Sequence, residues 1–266
     1  VSFISGNILN TTAIGGGPIS LHKVEEGRLV NIATSNTTKT NNKFQFAIKV
    51  VEEGFYYISS VRIRCRVYLK PADAVELSIQ SFSGEYTLIN GSAENKLMEQ
   101  WAKLTWPITA YGYFRSAFQN DSLKLDNYIA TYEKLQPAIA NFKSTSVTPN
   151  AKFNRLFSTA VDVDNRFAPV YLLAKLAARR GPKYDAITNS LQEPPAFFKQ
   201  FVNSEKFNSA SILNIGEGMD YLNGIQKLNF ALMPKEESNK LWREDKMKIM
   251  MSMIANGVSM RVKFEV

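Results

Sequence analysis

The stretch 61-VRIRCRVYLK-70 sets Val61, Ile63, Cys65, Val67 and Leu69 in alternation with Arg62, Arg64, Arg66 and Tyr68. Successive side chains of a β-strand point to opposite faces, so this period of two predicts a strand with one apolar and one charged side. That reading puts the chain's single cysteine on the apolar side. It puts three guanidinium groups, roughly 6–7 Å apart by strand rise, on the other. A thiol is activated by nearby positive charge together with partial exposure, whereas apolar surroundings make it inert. Cys65 is therefore expected to be a buried structural side chain. The arginine row is suited to carboxylates or phosphates. It either pairs with acids elsewhere in the fold or docks a partner, and Arg62, Arg64 and Arg66 are the candidate docking residues.

Working outward, the same period recurs in both directions. Strands are predicted over 1–9, 18–24, 28–35, 43–50, 54–61, 62–69, 74–80 and 85–90, with turn signals between them at 15-GGGP-18, 25-EEG-27, 36-NTTKTNN-42, 52-EEG-54, 70-KPAD-73 and 83-SG-84. Short strands at about ten-residue spacing indicate an antiparallel sandwich or barrel. From Ser92 the period lengthens to about three and a half. Helices are expected over 92–104, stopped at Trp106-Pro107, over 121–142 with a kink or split at Pro137, and over 151–161, 165–180, 194–202, 209–228 and 236–255. The last nine residues, 258-VSMRVKFEV-266, alternate again. The predicted architecture is α+β: an N-terminal antiparallel β-sandwich over 1–91, a mostly helical domain over 92–257, and a C-terminal strand over 258–266 that returns to a sheet or opens a further domain.

Composition narrows the function classes. With 266 residues, 45% of them hydrophobic and 21% charged, the chain reads as globular. Its most apolar late stretch, 247-MKIMMSMIANGV-258, is shorter than the roughly 20 residues a membrane span needs. The formal charge is +8, but it is dispersed and comes with no nucleic-acid-binding motif, so no nucleic acid partner is expected. One cysteine makes no internal disulfide, no thiolate metal cage and no C-x-x-C pair.

Three pieces of the chain resemble the N-terminal region of envelope thiol-disulfide oxidoreductases of the thioredoxin-like type found in Bacteroides-like bacteria. They are 3-FISGNIL-9 with the strands at 18–35 and 43–59; 67-VYLKPADAVELSI-79, with Ala72 where glycine is usual; and 90-NGSAENKLMEQW-101, similar to a Gly-Ser-x-x-Asn helix start. In that family a thioredoxin-fold domain carrying C-x-x-C follows the helical stretch. No such pair occurs here. The resemblance thus implies a non-catalytic accessory region that positions a thioredoxin-like domain or recognises its protein client. It also implies a periplasmic or membrane-anchored location, with a lipid anchor at a removed N-terminus. The alternative is a stand-alone envelope lipoprotein that binds a ligand or partner protein, and a hydrolase with an unrecognised carboxylate site is a weaker third.

Other candidate chemistry reads as structure. His22 falls on the polar side of 18-PISLHKV-24, opposite in sense to Cys65, so a Cys-His pair is not expected. The run 162-DVDN-165 opens like a calcium loop but has Phe167 and Leu173 where that loop needs glycine and glutamate, and reads instead as a cap for the helix that follows. The glycines of 216-GEG-218 read as a helix break. No catalytic residue, cofactor or metal is assigned.

Overall fold

The computed structural model describes residues 1–9, 16–38, 40–60, 63–81, 85–113, 125–178, 196–201 and 210–232. All eight predicted strands are present: β1 Ser2–Leu9, β2 Gly16–Glu25, β3 Arg28–Thr38, β4 Lys43–Ile48, β5 Gly54–Ser59, β6 Arg64–Leu69, β7 Ala74–Gln80 and β8 Tyr86–Asn90. They form two four-stranded sheets, ordered β4-β1-β7-β8 and β3-β2-β5-β6. The pairing is antiparallel throughout except between β1 and β7, which run parallel with Phe3 opposite Ala74. That one pairing departs from the purely antiparallel expectation, because β7 reaches the middle of the first sheet only after the chain has built the second.

The sheets face each other over an apolar core. Ile4, Ile19, Leu21, Phe44, Ile58, Cys65, Val67, Leu69, Leu77 and Ile79 are all buried in it, each from the apolar parity of its strand. A second core lies on the other face of β5 and β6, where Phe55, Tyr57 and Tyr68 pack under the helices. The molecule is thus layered as sheet, sheet and helices. Phe55, Tyr68 and Phe153 meet edge-to-face, and Phe153 stacks on Phe157.

The helices are α1 Ala93–Tyr113, α2 Leu125–Thr145, α3 Ala151–Ala178, a single turn α4 Ala196–Lys199, and α5 Gly218–Leu232, which follows a 3-10 turn at Ala210–Asn214. Two helix ends differ from expectation, the stop at Trp106-Pro107 and the boundary at 162-DVDN-165, and of the kink or split expected at Pro137 the split is absent. α1 runs through Pro107 and α2 through Pro137. A proline removes one helical hydrogen bond, but burial on both sides outweighs it here: Trp101, Thr105 and Ile108 in α1, and Tyr128, Tyr132 and Ile139 in α2. α3 is one helix rather than two, with Phe153, Phe157, Val161, Val163, Phe167 and Val170 buried along it, so 162-DVDN-165 lies in mid-helix and caps nothing. The predicted break at 216-GEG-218 is present, between the 3-10 turn and α5. The segments 236–255 and 258–266 lie outside the described residues.

Two turns fix how the layers meet. Glu26 and Gly27 have φ of 49° and 74°, the conformation of a two-residue hairpin turn. Its tip is pinned to the helical layer, the Gly27 N–H donating to the Leu213 carbonyl at 2.6 Å and the Met219 N–H to the Gly27 carbonyl at 3.0 Å. At the start of α1, Ser92 caps the helix through the Asn95 N–H.

Candidate functional site

The polar side of β6 meets the helices at Arg66. Its guanidinium grips Asp164 of α3 with two parallel bonds, Nη1 to Oδ2 at 2.9 Å and Nη2 to Oδ1 at 2.8 Å. Nη2 also donates to Glu217 Oε2 at 2.8 Å and Nε to the Tyr57 hydroxyl at 2.8 Å. The Tyr57 hydroxyl in turn donates to Glu217 at 2.7 Å and accepts the Gly216 N–H at 3.1 Å. Trp101 of α1 completes the set, its indole N–H donating to Asp164 Oδ2 at 2.8 Å. One guanidinium therefore ties β6 to α3 and to the turn before α5, while its Cζ lies 5.4 Å from the ring centres of both Phe55 and Tyr57.

The side chains of Arg66, Asp164 and Glu217 are 11%, 16% and 6% exposed, so the triad is desolvated and its charges depend on one another. Burial pushes the Asp164 carboxyl up, with Arg66 pulling against it. At Glu217 burial acts the same way, but Arg66, Arg64 and Tyr57 outweigh it and hold the carboxyl below its usual range. Burial also pushes the Tyr57 hydroxyl well up, so it stays a proton donor. Gly216 is required by contact: a Cβ there would lie 2.4 Å from Leu29 and 2.8 Å from the Tyr57 ring.

The triad forms the floor of a cleft of about 320 Å³. Its walls come from β6, β8, α1 and α3, with Tyr86, Met98, Trp101, Ala102 and Phe167 among them and Arg64 toward solvent. Two carboxylates around a pocket are what a hydrolase would need, but these two are fixed by the same guanidinium and by the Trp101 and Tyr57 donors. That arrangement holds both oxyanions in place as acceptors, whereas a general acid must carry and release a proton at a reacting atom. It is the geometry of a structural clasp.

The predicted site residues separate cleanly. Cys65 is fully buried between the sheets, and burial pushes its thiol up, away from the reactive thiolate. His22 is on the opposite side of its sheet, its Nε2 2.7 Å from Ser59 Oγ, and burial with the nearby Arg64 charge lowers its pKa. The two are not brought together. Of the arginine row, Arg66 is turned into the triad, Arg64 reaches Asp220 of α5 at 3.7 Å, and Arg62 lies outside the described residues. Among the described residues no three His, Cys, Asp or Glu side chains gather as a metal site, and no helix is long and apolar enough to cross a membrane.

Asp164 and Glu217 were not legible as partners of Arg66. A signal existed for each. Asp164 falls on the apolar stripe of its helix, one turn from Ala160 and Val161 on one side and Phe167 and Ala168 on the other. Glu217 is the sole acid within 212-ILNIGEGM-219. An acid in either setting is buried, and a buried acid needs a cation.

No family model matches the chain, and no curated protein or solved structure matches it. The class is accordingly defined by the fold and the clasp themselves: an α+β chain whose two-sheet sandwich is joined to a helical layer by a buried Arg-Asp-Glu triad beneath a cleft.

Proposed function

We propose that this chain is a non-catalytic binding region, the accessory portion of an envelope thiol-disulfide oxidoreductase, and that it recognises the protein client. The observation that supports this most is the division of labour on β6. The strand closes Cys65 into the core on one face and builds a cleft on the other. The thiol is thus removed from chemistry while a concave surface is offered to a partner. The ordered sequence resemblance over roughly the first hundred residues supplies the envelope setting and the redox context.

A ligand-sized cleft is equally what a stand-alone envelope binding protein needs, and that is the second reading. Two measurements separate the possibilities. A thiol-disulfide turnover assay on this chain should give no activity above Cys65→Ser; activity that depends on Cys65 would overturn the proposal. Titration with a reduced, carboxymethylated polypeptide should give saturable binding, and its absence would leave only the second reading.

A further inference from the structure

Two sheet edges flank the cleft. β6 ends one sheet and β8 ends the other. Registers fix where their backbone groups point. With Ser60 N–H bonded to the Ile63 carbonyl, the pairing of β5 with β6 turns the N–H and C=O of Arg64, Arg66 and Tyr68 away from β5. By the same reasoning from Gln80 N–H and the Glu85 carbonyl, Tyr86 and Leu88 turn theirs away from β7.

Helix α1 seals one end of this opening with side chains that act as strand partners. The Asn95 amide accepts the Tyr68 N–H at 2.9 Å and donates to the Tyr68 carbonyl at 2.8 Å. One turn on, Glu99 accepts the Leu88 N–H at 3.2 Å. The next residue on that face is Ala102, whose side chain has no polar atom to offer, and it lines the cleft. At that level, among the described residues, the Arg66 carbonyl meets only the Tyr86 hydroxyl, at 3.4 Å. Among the described residues, the Arg66 N–H and the Tyr86 N–H and C=O meet no partner. The adjoining walls, Met98, Trp101 and Phe167, are apolar.

We infer that the cleft takes an extended polypeptide segment that adds to the β6 edge, continuing at Arg66 the backbone pairing that Asn95 imitates at Tyr68 and setting alternate side chains against Met98, Trp101 and Phe167. This rests on the client-recognition reading above and names the part of the client that is bound: its main chain with apolar residues at every second position.

The test uses the full chain and a soluble nonapeptide in which valine alternates with threonine between terminal lysines. Hydrogen exchange followed with and without peptide should show slowed exchange at the Arg66 amide. N-methylation of the peptide at one parity should weaken binding roughly tenfold, and at the other parity have little effect, because only one parity faces β6. Ala102→Trp, which fills the cleft from α1, should weaken binding comparably; should that variant not fold, the exchange and methylation results decide alone. Binding indifferent to parity, or without slowed exchange at Arg66, would overturn the inference. If the nonapeptide fails but the carboxymethylated polypeptide still binds, the inference falls and the client reading stands; if neither binds, both fall.

Discussion

Arg66 makes four side-chain hydrogen bonds, and its removal would leave Asp164 and Glu217 buried without a counter-ion. Arg66→Met is therefore expected to cost about 3–5 kcal/mol in a denaturant melt, the usual consequence of breaking a buried ion cluster from one side. Arg66→Lys keeps the charge but loses the fork, and should fall between the variant and the native chain. His22 gives a pH signature. Its folded pKa lies below the ordinary 6.5, so as pH falls through 6.5 the unfolded chain takes up the proton first and stability declines until the folded pKa is passed. Thermal melts at pH 7.5 and 5.5 should show a drop in Tm that is smaller in His22→Gln; an equal drop would remove His22 as the cause. At this scale the sequence was informative about direction and silent about distance. Strand parity alone placed Cys65 in the core with Arg64 and Arg66 opposite, whereas the partners of Arg66 lie 98 and 151 residues away, where no local pattern reaches.

Elements explain which local rules held. Strand alternation is clearest in β1, β4 and β7, where one face is buried in the sandwich and a slip by one residue would turn the apolar side chains outward; β5 and β6 are buried on both faces, against the other sheet and against the helices. Helix ends fared worse. Pro107 and the acidic run argued for helix ends that the packing of Ile108 and Val163 overrode. The Gly-Ser-x-x-Asn start of α1 carried more than a cap. Its Asn95 closes the β6 edge, so Asn95→Ala leaves a buried N–H and carbonyl unpaired and should cost about 2–4 kcal/mol, with faster amide exchange at Tyr68. The turn between β6 and β7 offers the opposite case. Ala72 sits at φ 66°, after Pro71 and with the Asp73 N–H bonded to the Lys70 carbonyl, a turn that favours glycine at that position. Ala72→Gly should raise stability by roughly 0.5–1 kcal/mol, strain relief exceeding the added freedom of the unfolded chain; a loss would contradict the strain assignment.

Across the whole molecule, β6, like β5 beside it, serves both cores. Its inward face, Cys65, Val67 and Leu69, belongs to the sandwich; its outward face, Arg66 and Tyr68, belongs to the junction with the helices. The α+β architecture was readable because each layer is written in its own period. The cleft was not, because it arises where α1 crosses two sheet edges and no single segment encodes it. Under the proposed function β6 keeps its thiol sealed while its other face binds, and Cys65 reports on the sealing directly. Labelling of the native chain by an aromatic disulfide reagent, followed across a urea series, should proceed only as the protein unfolds, with an apparent opening free energy equal to that of the global transition. Rapid labelling in the absence of urea, at the rate of a free thiol, would contradict it.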